Sequence, residues 1–131
     1  MSRNILLVDD EAYVTTVLSD KFKHLGDQVK IADNGEAGLA MALEMIPDVI
    51  VTDYQMPLLS GYDMAVRLRS DARTRNVPVI MLTARGHHLS PQQLAMTNIK
   101  HLLNKPFSAR EVLARAQEVT ADSSHISRGA A

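Results

Sequence analysis

Ile5-Leu6-Leu7-Val8-Asp9-Asp10-Glu11 is the stretch on which the fold turns. Four consecutive apolar residues are too few for a helix and do not alternate with polar ones, so they read as a strand covered on both faces. That is the pattern of a parallel sheet between layers of helices. The run stops abruptly in three acids. Working outward, further short runs predict strands at Gln28–Ala32, Asp48–Thr52, Val77–Leu82 and Lys100–Leu103. Between them lie longer segments with apolar residues at helical spacing, which predicts an α/β, doubly wound, five-stranded parallel sheet.

The helix signals are local and physical. Val14, Val17, Leu18, Phe22 and Leu25 share one face, followed by Gly26 as a left-handed C-terminal cap. A second helix covers Glu36–Met45 after Asn34-Gly35 and stops before Pro47, and a third covers Tyr62–Arg69 after Gly61. Ser90 with Pro91 opens a fourth, for which Asn98 is the expected left-handed cap, and Ser108 with Glu111 opens a fifth that buries Val112, Ala116 and Val119. From residue 121 to 131 the chain turns small and polar, so the expected division is a domain over 1–120 and a short frayed tail. The runs at Ile5, Val49 and Val79 are continuous, whereas Val29-Lys30-Ile31 alternates and Lys100-His101-Leu102-Leu103 is mixed. Strands two and five therefore belong at the edges, giving the order 2-1-3-4-5.

With 131 residues, 46% of them apolar, one buried core is expected. A net charge of -1 with scattered basic residues argues against direct nucleic-acid binding. The absence of cysteine removes disulfides and thiolate metal sites. No stretch is apolar enough for a signal peptide or a membrane span, so the expected location is the cytoplasm, away from membranes.

Ligands of open parallel sheets bind outside the carboxyl ends of the strands, where the winding reverses. Those ends carry Asp9-Asp10-Glu11, Asp53, Thr83 and Lys105-Pro106. Converging aspartates raise one another's pKa unless a cation neutralises them, and an all-oxygen set that leaves room for water and phosphate suits Mg²⁺. Lys105 adds a point charge and Thr83 a hydroxyl, both fitted to phosphoryl oxygens. The set predicts phosphoryl transfer onto a carboxylate, with Asp53 as nucleophile. Gln55, two residues beyond Asp53, and Arg85, two beyond Thr83, are expected to flank the path of an attacking water. His87 and His88 read as surface residues.

Asp9-Asp10, Asp53-Tyr54-Gln55-Met56-Pro57 with Gly61, Thr83-Ala84 and Lys105-Pro106-Phe107, spread over residues 4–120, together resemble the response regulator receiver domain. The resemblance implies the flavodoxin-like (βα)₅ fold of a two-component phosphorelay switch. Asp53 would take its phosphoryl group from a sensor histidine kinase or a histidine phosphotransfer protein. Mg²⁺ would be ligated by Asp10, Asp53 and the Gln55 carbonyl, with Asp9 acting through water, while Thr83 and Lys105 bind the phosphoryl group and Lys105-Pro106 is cis. It further implies a stand-alone switch rather than a turnover enzyme, acting through an unidentified protein target or as a phosphate shuttle. Two other readings compete. A degenerate receiver would have lost pocket acids that are present here, and a haloacid-dehalogenase-type phosphatase wants an aspartate where Gln55 stands. Leu102 departs from the family, which commonly has Tyr or Phe there as an output switch, and Ser60 replaces the usual Asp or Asn before Gly61.

Overall fold

A computed structural model describes residues 2–84 and 86–130, without the side chains of residues 122–130. Five strands, β1 (Asn4–Val8), β2 (Gln28–Ala32), β3 (Val49–Asp53), β4 (Val79–Thr83) and β5 (Ile99–Asn104), alternate with helices α1 (Ala12–His24), α2 (Gly35–Met45), α3 (Gly61–Ser70), α4 (Pro91–Ala95) and α5 (Ala109–Ala130). The strands form one parallel sheet in the order β2-β1-β3-β4-β5, with the mixed strands at its edges as their patterning predicts.

Side chains alternate across the sheet and split the core in two. Ile5, Leu7, Val51, Ile80, Leu82 and Leu103 pack with Leu18 and Phe22 of α1 and Val112, Ala116 and Val119 of α5. Leu6, Val8, Ile50 and Val79 pack with Ala42 of α2 and Met64 and Leu68 of α3. Every residue of β3 and β4 is buried, which fixes the carboxyl ends of the two central strands rigidly.

The helix ends follow their local chemistry. Asn34, Ser60, Ser90 and Ser108 each accept a backbone N–H three residues on, so Ser60 caps α3. Gly26 (φ 93°) closes α1 in a Schellman pair, Gly26 N–H donating to Lys23 O and Asp27 N–H to Phe22 O. Asn98 is not left-handed. Among the described residues the left-handed non-glycine ones are Ile46 (φ 44°) and Leu58 (φ 73°), and α4 ends on Met96 with a negative φ (−83°). The strand bounds shift by one or two residues for a visible reason: Pro78 has no N–H to enter the ladder, so β4 begins at Val79. β5 takes six residues to run beside the five of β4, with a bulge between the pairs Val79↔Ile99 and Ile80↔His101. The backbone of α5 continues to Ala130, through the stretch expected as a frayed tail. That stretch contains no proline, and extending an established helix costs little compared with starting one.

One close approach, at the start of α3, holds that helix against the end of β3. A Cβ at Gly61 would run into the carbonyl oxygen of Asp53, and Gly61 N–H donates to Tyr54 O at 2.8 Å. Gly61→Ala should therefore cost about 2 kcal/mol or more in urea denaturation, because backbone must move. Gly26→Ala has open space and meets only the left-handed penalty, about 1 kcal/mol. Equal losses for the two variants would rule out the close approach as the constraint.

Candidate functional site

The strand ends converge as the patterning predicts. Asp9 and Asp10 follow β1, Asp53 ends β3, Thr83 ends β4, and Lys105 follows β5. Carboxylate oxygens of Asp9, Asp10 and Asp53 lie within 4.8 Å of one another. Asp10 and Asp53 border a cleft of ≈ 660 Å³, lined also by Glu11, Gln55, His87 and Lys105, among others.

Each acid is held differently. Asp9 is buried; its Oδ1 accepts the Glu11 N–H at 2.9 Å, and its Oδ2 has no hydrogen-bond partner among the described residues. Burial raises its pKa to about 6, and the charges of Asp53 and Glu11 push the same way, against the Glu11 N–H and Lys105. Asp10 is exposed at the cleft. Asp53 is also buried; its Oδ1 accepts the Tyr54 N–H at 2.9 Å and faces Lys105 Nζ at 3.2 Å. Burial pushes the Asp53 carboxyl above its usual range, with Lys105 opposing.

Lys105 is placed by its backbone, whose N–H donates to Thr83 O at 2.7 Å, and the Lys105-Pro106 bond is cis. Its ammonium bridges Asp53 and Glu11, the latter at 3.0 Å. Burial works against that charge, but the hydrogen bond to Glu11 and the charge of Asp53 outweigh it, so Lys105 titrates above its ordinary range. Thr83 is buried, and its hydroxyl donates to Asn104 Oδ1 at 3.0 Å rather than to any cleft acid.

Asp9, Asp10 and Asp53 therefore gather at one place, with Gln55 and Lys105 beside them in the cleft lining; Thr83 ends the neighbouring strand with its hydroxyl turned to Asn104, and Arg85 lies outside the described residues. Three others join them to which the sequence gives no role in the site. Glu11 shares Lys105, and its position in a run of three acids was the available signal. Asn104 holds Thr83. His87, read from sequence as a surface residue, is half-buried at the cleft with its ring centroid 4.2 Å from that of Tyr54, while His88 is exposed.

Residues 5–117 match the family described as response regulator receiver domain. Curated relatives include the DNA-binding dual master transcriptional regulator RpaA of Synechocystis, 33% identical over 96% of this chain and 52% of its own length. Another is the phosphate regulon transcriptional regulatory protein PhoB of Pseudomonas aeruginosa, 34% identical over 91% of this chain and 52% of its own. The chain thus spans about half the length of the curated relatives it matches. Among solved structures, the chemotaxis response regulator CheY4 of Vibrio cholerae is similar at TM-score 0.82 and 27% identity, covering 91% of this chain and 99% of that one. So is the receiver domain of sensor histidine kinase PA1611 of Pseudomonas aeruginosa, whose structure has a magnesium ion coordinated in the active site cleft (TM-score 0.81, 27% identity, 92% and 99% covered).

The buried state of Asp9 has a pH signature. Because its carboxyl holds a proton more tightly when folded, its contribution to stability should fall as pH rises from about 4 to about 6 in the absence of a divalent cation. Asp9→Asn, compared with the wild type by urea denaturation, should gain a relative advantage on the order of 2 kcal/mol between pH 4.5 and 7. Millimolar Mg²⁺ should erase or reverse it. A pH-independent difference would show that burial leaves Asp9 unperturbed.

Proposed function

This chain belongs to the response regulator receiver domain family of two-component signalling, and on that premise we propose that it is a phosphorylation switch whose phosphoryl group is carried by Asp53. The observation that carries this reading is the pairing of the buried Asp53 carboxylate with Lys105 Nζ at 3.2 Å, in a cleft where three carboxylates gather.

The same residues fit a hard divalent ion. Asp9 Oδ2 is buried without a partner among the described residues, and the donors gathered there are oxygens, the set that Mg²⁺ prefers over softer metals. Asp10, Asp53 and the Gln55 carbonyl would hold it, with Asp9 behind them. Bound there, Mg²⁺ would offset the acids' mutual repulsion and draw in the oxygens of a phosphoryl group.

The described contacts to the Asp53 carboxylate fall on Oδ1, which favours Oδ2 as the attacking oxygen. A bond forms from it to phosphorus while the P–N bond to the donor's phosphohistidine breaks. The electron pair returns to the imidazole nitrogen, which takes a proton from solvent. Lys105 holds a positive charge beside the accumulating negative one, and Thr83 supplies a hydroxyl once it turns from Asn104. The chain acts on itself, so it is a switch rather than a turnover enzyme.

A sensor histidine kinase or phosphotransfer protein supplies the phosphoryl group. Output passes to a protein target, or the chain hands the group on as a shuttle. A net charge of -1, without a basic field to hold DNA, supports a protein target for this segment. Among the described residues no helix is long and apolar enough to cross a membrane, in keeping with a site of action in the cytoplasm.

Incubation with acetyl phosphate and Mg²⁺ should add one phosphoryl group, read by intact mass, and both EDTA and Asp53→Asn should abolish it. Labelling that survives either change refutes the assignment. Within the acids, Asp10→Asn should weaken Mg²⁺ binding at least tenfold, since a charged ligand is lost. Glu11→Gln, whose carboxylate is engaged by Lys105, should change it far less. Equal losses would mean that Glu11 is itself a ligand.

A further inference from the structure

Thr83 and Asn104 are register partners across β4 and β5, and aligned residues of parallel neighbours project to the same face. The β5 bulge brings about this pairing, because the extra residue carries Asn104 level with Thr83. The pairing explains the 3.0 Å hydrogen bond from the buried Thr83 hydroxyl to Asn104 Oδ1. A hydroxyl has one proton. Thr83 cannot give it to Asn104 and to a phosphoryl oxygen on Asp53 at the same time.

We propose that Asn104 is a latch that holds Thr83 in the unphosphorylated arrangement and competes with the phosphoryl group for its single proton. Phosphorylation must break the Thr83–Asn104 bond, and that leaves the Asn104 amide, on an exposed residue next to Lys105, free to rearrange at the end of β5. The latch thus does two things. It biases the resting equilibrium toward the unphosphorylated arrangement, and it converts an event at Asp53 into a change at the outer edge of the sheet. Leu102, the half-buried neighbour two residues back on the same face, has neither ring nor hydroxyl with which to report that event. Asn104 therefore acts as a positioning residue, through Thr83, and touches neither the acids nor the phosphoryl group.

The inference rests on the reading of Asp53 as the acceptor, and the test separates the two. The probe is beryllium trifluoride with Mg²⁺, which binds an aspartate as a phosphoryl mimic, titrated into the full chain by calorimetry. Asn104→Ala should tighten its binding about two- to tenfold, the worth of one partly exposed hydrogen bond removed from the competing state. In a Thr83→Val background, which has no proton to contest, the same substitution should have no effect. A purely structural role would give the same change in both backgrounds. As a second reading, the side-chain amide resonances of Asn104 should move when the mimic is added to wild-type protein. In Thr83→Val they should already sit at the released position without it. Unchanged affinity in Asn104→Ala, equal gains in the two backgrounds, or Asn104 resonances indifferent to the mimic would each overturn the latch. A wild-type chain that takes up no mimic at all overturns the reading of the site, and the latch with it.

Discussion

Negative charges are crowded at the carboxyl ends of β1 and β3, and much of the architecture serves to keep them there. Asp9 and Asp53 are buried, Asp10 is beside them, and one ammonium, that of Lys105, bridges Asp53 and Glu11. Left unbalanced, such a group would protonate or spread apart. Burial and mutual repulsion do raise the pKa of Asp9 and Asp53, but the group cannot spread, because its positions are set by backbone rather than by side-chain choice. β3 is buried throughout, Gly61 lets α3 close on the Asp53 carbonyl, and the Lys105 N–H is tied to Thr83 O. α1 starts directly after the acids, so its unsatisfied N–H groups and the positive end of its dipole face them. The resting site is thus held short of positive charge, and an incoming cation finds its ligands already assembled.

What could be read from the residues, and what could not, divides along the scale of the interaction. Continuous and alternating apolar runs report how each strand is covered, so strand order followed from Ile5-Leu6-Leu7-Val8 against Val29-Lys30-Ile31. The acids, Thr83 and Lys105 were legible because strand ends of this topology meet at one place. Pairings that depend on register and rotamer were not. Nothing in the order of residues says that Lys105 reaches back to Glu11, that Asn104 faces Thr83, or that His87 turns in against Tyr54. The failure at Asn98 has the same root: asparagine tolerates a left-handed backbone, but the turn after α4 closes without one, through Thr97 N–H to Leu94 O.

The two helices flanking β5 are anchored very differently. None of the five residues of α4 is buried; its own capping box and the bond from Tyr62 Oη to Gln93 O are what tie it down. α5 buries Val112, Ala116 and Val119, and Thr120 at its fourth turn accepts from Arg3, which also pairs with the buried Asp27 at the start of β2. Local opening is cheapest where little apolar surface is buried. The α4 side of the molecule can yield while the α5 side stays fixed, so a disturbance at Thr83 has a soft direction in which to travel.

The bulge in β5 also bears on how the gene can change. Because β5 spends six residues where its neighbour spends five, Lys100 is in effect a spare. Loss of one codon anywhere between Ile99 and Leu103 could be absorbed by straightening the bulge, leaving Asn104 and Lys105 level with Thr83 and the cleft intact. The central strands have no such slack: one codon lost from β3 would turn every residue beyond it to the opposite face and point Asp53 away from the site. Inherited changes in length are therefore tolerable at this edge of the sheet and forbidden at its centre.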